Sequence, residues 1–248
     1  MLDILVIKCL TDNFSYLIRD KNTNTIGIVD PSEFSAVNNE IQKKYKKLDF
    51  ILNTHHHDDH IGGNLDLKKK YNSKIVCSEH DKNIIVDADI LLNDGDSFRF
   101  GKVNFNVLHV PGHTLGHIAF YSKKAGVVFT GDTLFSLGCG RIFEGSPDQM
   151  FKSIEKIKNL PPDTLIYCGH EYTENNGKFA INIDDQNNML REKIKDVAGK
   201  VKQGIPSVPV SLSDELNTNI FLRCENTKIK SKLKMPNASK QEIFAKLR

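Results

Sequence analysis

The sequence predicts an α+β protein on three observations. Six strand-like runs crowd the first 110 residues, amphipathic helices sit between them without strict alternation, and the strand signal fades after residue 172. A boundary there separates residues 1–172, a mixed strand-rich domain, from residues 173–248, a small all-α domain. At 248 residues the chain is long enough for a substantial core.

Taken in order, the strands are Ile4 to Ile7, Tyr16 to Ile18, Thr25 to Val29, Phe50 to Asn53, Ile75 to Cys77 and Val103 to Val110. Phe34, Val37, Ile41 and Tyr45 fall at spacings of three and four, so Phe34 to Lys46 is read as an amphipathic helix, and Asn64 to Lys70 as a second. A further meander runs through Ile118 to Tyr121, Val127 to Thr130 and Thr164 to Tyr167. The helix Met150 to Leu160 interrupts it and ends at Pro161-Pro162. In the tail, Met189, Leu190, Ile194, Val197 and Val201 keep helical spacing until Gly204-Ile205-Pro206, and an extended stretch holds Pro206 and Pro209. Ser239 then caps a last helix, with Ile243, Phe244 and Leu247 on one face.

The bulk composition narrows the function. With 39% hydrophobic and 26% charged residues the chain is ordinary for a globular protein, and no run approaches the roughly 18 apolar residues of a membrane span. Residues 1–9 alternate like a strand and carry Asp3, unlike a signal or transit peptide, so a cytoplasmic location is expected. Five scattered cysteines without a CxxC pair indicate free thiols, and neither a disulfide framework nor a cysteine zinc site. Net charge is +3, and residues 171–248 hold 14 Lys+Arg against 10 Asp+Glu. That modest excess suits a small anionic substrate; it lacks the dense basic patches of a nucleic-acid binder. No nucleic-acid or membrane partner is expected, and the chain is expected to act as a monomer.

The chemistry concentrates in Asn53-Thr54-His55-His56-His57-Asp58-Asp59-His60-Ile61-Gly62-Gly63, which holds four of the nine histidines. On extended chain, residues two apart point the same way at about 6.6 Å, so His55 and His57 can clasp one ion while His56 faces elsewhere. Asp59 and His60 fall where the chain turns into a helix and can face a second ion. Imidazole and carboxylate are the donors that zinc and similar ions favour. Three later strand ends repeat the pattern of an apolar run, a glycine and a ligand: His113 after Pro111-Gly112, Asp132 after Gly131, and His170 after Gly169. A carboxylate such as Asp132 can bridge two cations. His109 and His117 are read as structural. Four strand ends thus bring donors to one rim.

Thr54-His55-x-His57-x-Asp59-His60, His113 in Pro-Gly-His-Thr-x-Gly-His, Asp132 in Gly-Asp-Thr, and His170 together resemble the metallo-β-lactamase superfamily. Within it, Cys9-Leu10-Thr11-Asp12-Asn13, Gly138-Cys139-Gly140-Arg141, Gly169-His170-Glu171-Tyr172-Thr173 and the helical tail resemble the glyoxalase II (hydroxyacylglutathione hydrolase) family over essentially the whole chain. The resemblance implies a four-layer αββα sandwich followed by the small helical domain, which binds substrate. It implies two divalent metal ions, zinc foremost, with iron and manganese also suited to such ligands. One ion is held by His55, His57 and His113, the second by Asp59, His60 and His170, with Asp132 bridging.

The implied reaction is hydrolysis of S-(2-hydroxyacyl)glutathione, notably S-D-lactoylglutathione, to glutathione and D-lactate, the second step of methylglyoxal detoxification. Two ions about 3.5–4 Å apart lower the pKa of a bridging water towards roughly 7. The hydroxide, oriented by Asp59, would attack the thioester carbonyl. A thiol of pKa about 8.5 leaves with little help from a general acid. The family's glutathione contacts fall on Arg141, Phe143, Tyr172 and Arg248. Phe143 stands where many members have tyrosine, a loss of roughly 0.5–1.5 kcal/mol if that hydroxyl binds the peptide. Relatives commonly continue with a lysine beyond the position of Arg248, so a weakened Michaelis constant is expected.

Two other readings share these residues. Glutathione-persulfide dioxygenases, with a single iron, carry the same His-x-His-x-Asp-His run but not the hydrolase tail. Another hydrolase of the same fold, or a non-catalytic metal-binding module, would need neither that tail nor an anion-binding surface.

Overall fold

The computed structural model describes all 248 residues, Met1–Arg248. Its first sheet lines up in chain order as β1 (Leu2–Cys9), β2 (Asn13–Asp20), β3 (Thr25–Val29), β4 (Phe50–Leu52), β5 (Lys74–Ser78) and β6 (Ile90–Leu92). β1 to β3 form an antiparallel meander, and β3 to β6 are parallel. The parallel connections pass through α1 (Phe34–Lys44), then through α2 (Asp58–Ile61) and α3 (Asn64–Tyr71).

The second half supplies β7 (Ser97–Phe100), β8 (Val103–His109), β9 (Ile118–Ser122), β10 (Val127–Gly131), β11 (Leu134–Phe135), β12 (Gly138–Cys139), α4 (Pro147–Lys158) and β13 (Leu165–Cys168). The tail adds α5 (Thr173–Ile183), α6 (Asn188–Lys202), β14 (Val210–Ser211), α7 (Leu212–Thr218), α8 (Thr227–Lys232) and α9 (Lys240–Leu247). The second sheet has the order β14-β13-β10-β9-β8-β7, and β11 and β12 form a separate hairpin. β10 and β13 are parallel, so Gly131 and Cys168 end side by side and hand Asp132 and His170 to the same rim.

Strand alternation builds the layers. In β2, Phe14, Tyr16 and Ile18 face the second sheet, while Leu17 packs under α1 and α3 with Ile26 and Ile28 of β3. In β9, Ile118 and Phe120 face inward, and Ala119 and Tyr121 turn to the core beneath α4 and the tail. The result is the expected αββα sandwich. The outer core of the second sheet joins Val110, Ile154 and Ile166 to Leu190, Ile220, Ile229 and Phe244, so the tail shares its core with the strands it follows.

Most expected elements are present with their ends moved by a few residues. α4 starts at Pro147, earlier than the apolar spacing suggests, because Ser146 and Gln149 form a capping box ahead of it. Ser239 caps α9 as expected, also through a capping box, with Glu242. The tail is helical apart from β14, which the proline-rich stretch concealed, and it holds two breaks that spacing alone did not reveal. α5 and α6 are separate, with Asn187 capping the second. α7 and α8 are too short for a periodicity to register, yet Ser211 and Asn226 cap them.

Phe129 lies at the centre of the inter-sheet core, fully buried, with ring centroids of Tyr16, Tyr167 and Phe105 at 5.5, 5.3 and 6.0 Å. Phe129→Ala should lower unfolding free energy by about 3–5 kcal/mol through lost transfer energy and a residual cavity. Urea denaturation checks this, and a loss below about 1 kcal/mol would mean that this layer is loosely packed.

Candidate active site

Crowding at the rim dictates glycines before two of the donors. At Gly131, which has φ +47, a Cβ would lie 2.3 Å from Thr54 Oγ1. At Gly169 it would lie 2.2 Å from Asp132 Oδ1. Larger residues would push the rim apart. His55 and His57 leave the end of β4 as irregular chain, and Asp59 and His60 sit in the single turn of α2.

The seven expected donors come together. His57 Nδ1 lies 3.2 Å from His55 Nε2 and 3.0 Å from His113 Nε2. In a second group, His60 Nε2 and His170 Nε2 are 3.3 Å apart, and Asp59 Oδ2 is 3.7 and 3.3 Å from them. Asp132 stands between the groups: its Oδ2 lies 3.4 Å from His113 Nε2 and 3.3 Å from His170 Nε2, its Oδ1 3.4 Å from His60 Nε2.

Outer partners set which ring nitrogens face inward. His60 Nδ1 donates to Asp30 Oδ2 (3.2 Å), His170 Nδ1 to Asp12 Oδ1 (2.9 Å) and His113 Nδ1 to the Arg141 carbonyl (2.8 Å). Thr54 gives its one hydroxyl proton to Asp30 Oδ2 at 2.7 Å, so its oxygen accepts from His55 Nδ1 at 3.0 Å. The inner nitrogens of His55 and His113 therefore carry lone pairs that converge on His57 Nδ1 at hydrogen-bonding distance, and one proton there satisfies only one of them, whereas a cation satisfies both. Asp132 Oδ1, buried, has no hydrogen-bond partner. Converging imidazole and carboxylate donors with one orphaned oxygen fit a dinuclear metal centre.

Asp30, Asp12 and Asn13 complete this frame. Asp30 escaped the sequence reading, although Val29-Asp30-Pro31 has the same strand-end carboxylate as Gly131-Asp132. Asn13 donates to Asp59 Oδ2 at 2.9 Å and to the Asp59 carbonyl at 3.1 Å. His56 turns away from the centre and lies 3.1 Å from both Asp81 Oδ1 and Glu144 Oε1. His117, buried, stacks 4.6 Å from His55 and accepts from the Asp132 amide at 3.1 Å. His109 lies off the rim, its ring nitrogen donating to the Leu115 carbonyl.

The rim opens into a cleft of about 950 Å³ that reaches Arg141, Phe143, Tyr172 and Arg248. Tyr172 stacks on His170 at 4.6 Å and 4°, and Phe143, 62% exposed, sets its ring 5.6 Å from His57 and 5.2 Å from His113. Arg248 Nη1 donates to the Cys139 carbonyl at 3.0 Å.

Burial lowers the pKa of the metal-free His60 and His170, but the carboxylates outweigh it. Asp132 and Asp30 raise His60, and Asp132, Asp59 and Asp12 raise His170 to about 11. His170 therefore holds a proton at neutral pH, and a cation has to displace it. Low pH thus favours the metal-free form, and metal affinity should climb with pH by about tenfold per unit for each proton displaced. Calorimetry in buffers of different ionisation enthalpy measures that release; metal uptake without proton release would contradict it. Asp30→Asn should weaken both ions about 10- to 100-fold, whereas Asp12→Asn should weaken only the ion beside His170. Chelator competition separates the two outcomes.

The metallo-beta-lactamase superfamily profile matches residues 11–170, and the profile of the hydroxyacylglutathione hydrolase C-terminus matches residues 171–248. The chain is 48% identical over 233 residues to the hydroxyacylglutathione hydrolase of Pelagibacter ubique, covering 94% of this chain and 98% of that one. It is 42% identical over 248 residues to that of Methylococcus capsulatus, covering 100% and 97%. Among solved structures, ETHE1 from Myxococcus xanthus shares the fold, with a TM-score of 0.69 at 24% identity, covering 98% and 94%. Sandwich, donor rim and tail agree with these matches: the chain belongs to the hydroxyacylglutathione hydrolase family of the metallo-β-lactamase superfamily.

Proposed function

We propose that the protein is a thioesterase that hydrolyses S-(2-hydroxyacyl)glutathione, with S-D-lactoylglutathione as its typical substrate, to glutathione and the 2-hydroxy acid. The observation that carries this reading is one cleft lined both by the donors His57, Asp59, His113, Asp132 and His170 and by the cationic Arg141 and Arg248. An anionic thioester spans both ends of such a space. Zinc is the favoured metal, held by His55, His57 and His113 and by Asp59, His60 and His170, with Asp132 shared. When bound, the pair of ions would supply a water acidic enough to ionise near neutrality and a Lewis acid for the thioester carbonyl.

The chain's own residues orient the reactants. Burial raises the Asp59 pKa, but His170, His60 and the Asn13 amide more than reverse this and hold it well below the usual carboxylate range. Asp59 therefore stays ionised and accepts a hydrogen bond from the attacking water. Burial, with Asp12, Asp132 and Asp59 nearby, pushes the Tyr172 phenol up to about 12, so it remains a donor for the peptide. Arg141 and Arg248 pair with the glutathione carboxylates. The departing thiolate, with a thiol pKa of about 8.5, needs no general acid.

Residues 1–172 thus act as the hydrolase domain and residues 173–248 as the substrate-binding domain, a division supported by Phe179, Phe221 and Arg248 lining the same cleft. No helix is long and apolar enough to cross a membrane, and all five cysteines are buried and unpaired, which suits a reducing cytoplasm.

Thiol release from S-D-lactoylglutathione by the metal-loaded protein tests this reading. Oxygen consumption with glutathione persulfide tests the dioxygenase alternative. Thioester hydrolysis without oxygen uptake is expected, and oxygen uptake without hydrolysis would reverse the assignment. Phe143→Tyr should lower KM roughly 2- to 12-fold with kcat unchanged, the equivalent of about 0.5–1.5 kcal/mol from one restored hydrogen bond. Steady-state kinetics on both forms measures the difference.

A further inference from the structure

The β11–β12 hairpin, Leu134–Cys139, runs from Asp132 towards Arg141 and touches both the donor rim and the cleft. The Phe135 ring lies 6.0 Å from His170 and 5.3 Å from Tyr172. The Cys139 carbonyl accepts from Arg248, and just beyond the hairpin the Arg141 carbonyl accepts from His113. Its tip is strained, since Leu137 has φ +58, in the left-handed region that a residue with a side chain seldom occupies.

Side chains of the tail grip that tip from below. Glu215 of α7 is fully buried, and its Oε2 accepts from the Leu137 amide at 2.8 Å while Oε1 accepts from Ser136 Oγ at 3.0 Å. Lys193 of α6 pairs with Oε1, and Asn219 donates to Oε2 at 2.9 Å. Asn219 also reaches the Phe135 and Gly138 carbonyls at 3.2 and 3.0 Å, and Asn176 of α5 donates to the Ser136 carbonyl at 3.0 Å. A buried ion pair is weak evidence for stability, because desolvation offsets most of its attraction. Here the carboxylate's partners are instead the groups that define one loop conformation. Glu215 touches neither the donors nor the cleft.

We propose that Glu215 is a positioning residue: with Lys193, Asn219 and Asn176 it holds Leu137 in its left-handed conformation, and so sets Phe135, Arg141 and the Arg248 contact for glutathione. Its effect falls on substrate binding and leaves the metal centre intact. The kinetic half of this statement rests on the thioesterase reading above; the conformational half does not.

Glu215→Gln keeps the shape but sets an amide N–H against a donor of the clamp. It should raise KM for S-D-lactoylglutathione about tenfold, leave kcat within about twofold, and retain two ions per chain. Hydrogen exchange should quicken in the peptide spanning residues 133–140 and nowhere else. Val37→Ala, a buried change in α1 within the core beneath the first sheet, serves as the comparison for lost stability. It should lower Tm without moving KM or the exchange of residues 133–140. If Glu215→Gln does not fold, Ser136→Ala, which removes one contact of the clamp outside the cleft, should show the same pattern at about threefold in KM. An unchanged KM with exchange like that of Val37→Ala would overturn the proposal, as would a matched fall in kcat with loss of metal. Were thioesterase activity absent from every form, exchange alone would decide: faster exchange in Glu215→Gln supports the clamp, and unchanged exchange overturns it.

Discussion

The carboxylate of Asp30, buried at the end of β3, accepts from the Thr54 amide at 2.8 Å, from the Thr54 hydroxyl and from His60. Through Thr54 it orients His55, and directly it orients His60, so one group fixes a histidine in each half of the donor rim. It is fixed in turn: its own amide donates to the Leu52 carbonyl at 2.9 Å, and Ser15 donates to its carbonyl at 2.6 Å. Two adjacent strands and the loop after β4 are locked together by this one residue. Ligand geometry is thereby set by the sheet, the stiffest part of the molecule.

Such a rim is costly to assemble without a cation. Lone pairs of His55 and His113 converge on His57, Asp132 buries an oxygen without a partner, and a proton on His170 partly neutralises the site. The sandwich supplies the compensation. Interleaved aromatics between the sheets and the helices outside them bury the strands whose ends carry the donors, and folding holds together groups that repel. Metal binding relieves that repulsion, which ties metal affinity to the native state.

Much of this was legible in the sequence because strand ends are marked by apolar runs followed by glycine and a donor. Gly131-Asp132 and Gly169-His170 carry that mark, and their glycines are required by contacts under 2.5 Å to any added Cβ. The run from His55 to His60 was legible for a different reason, the density of donors. Asp30 was not, since an aspartate before a proline reads as an ordinary turn, and its partners Thr54 and His60 lie far along the chain. The grip of Glu215 on Leu137 was equally hidden: α7 is only seven residues long, and its acid looks like any solvated helix charge. Long-range polar contacts leave no local period. The tail's broken helices and β14 were blurred for the same reason, because packing onto the second sheet set their limits.

Whether two adjacent cations are needed for thioester hydrolysis at this rim is decided by titrating the metal-free protein with zinc while following thiol release from S-D-lactoylglutathione. Binding should saturate at two ions per chain, with activity that depends on the second. Saturation at a single ion with full activity, or two bound ions with no hydrolysis, would contradict it.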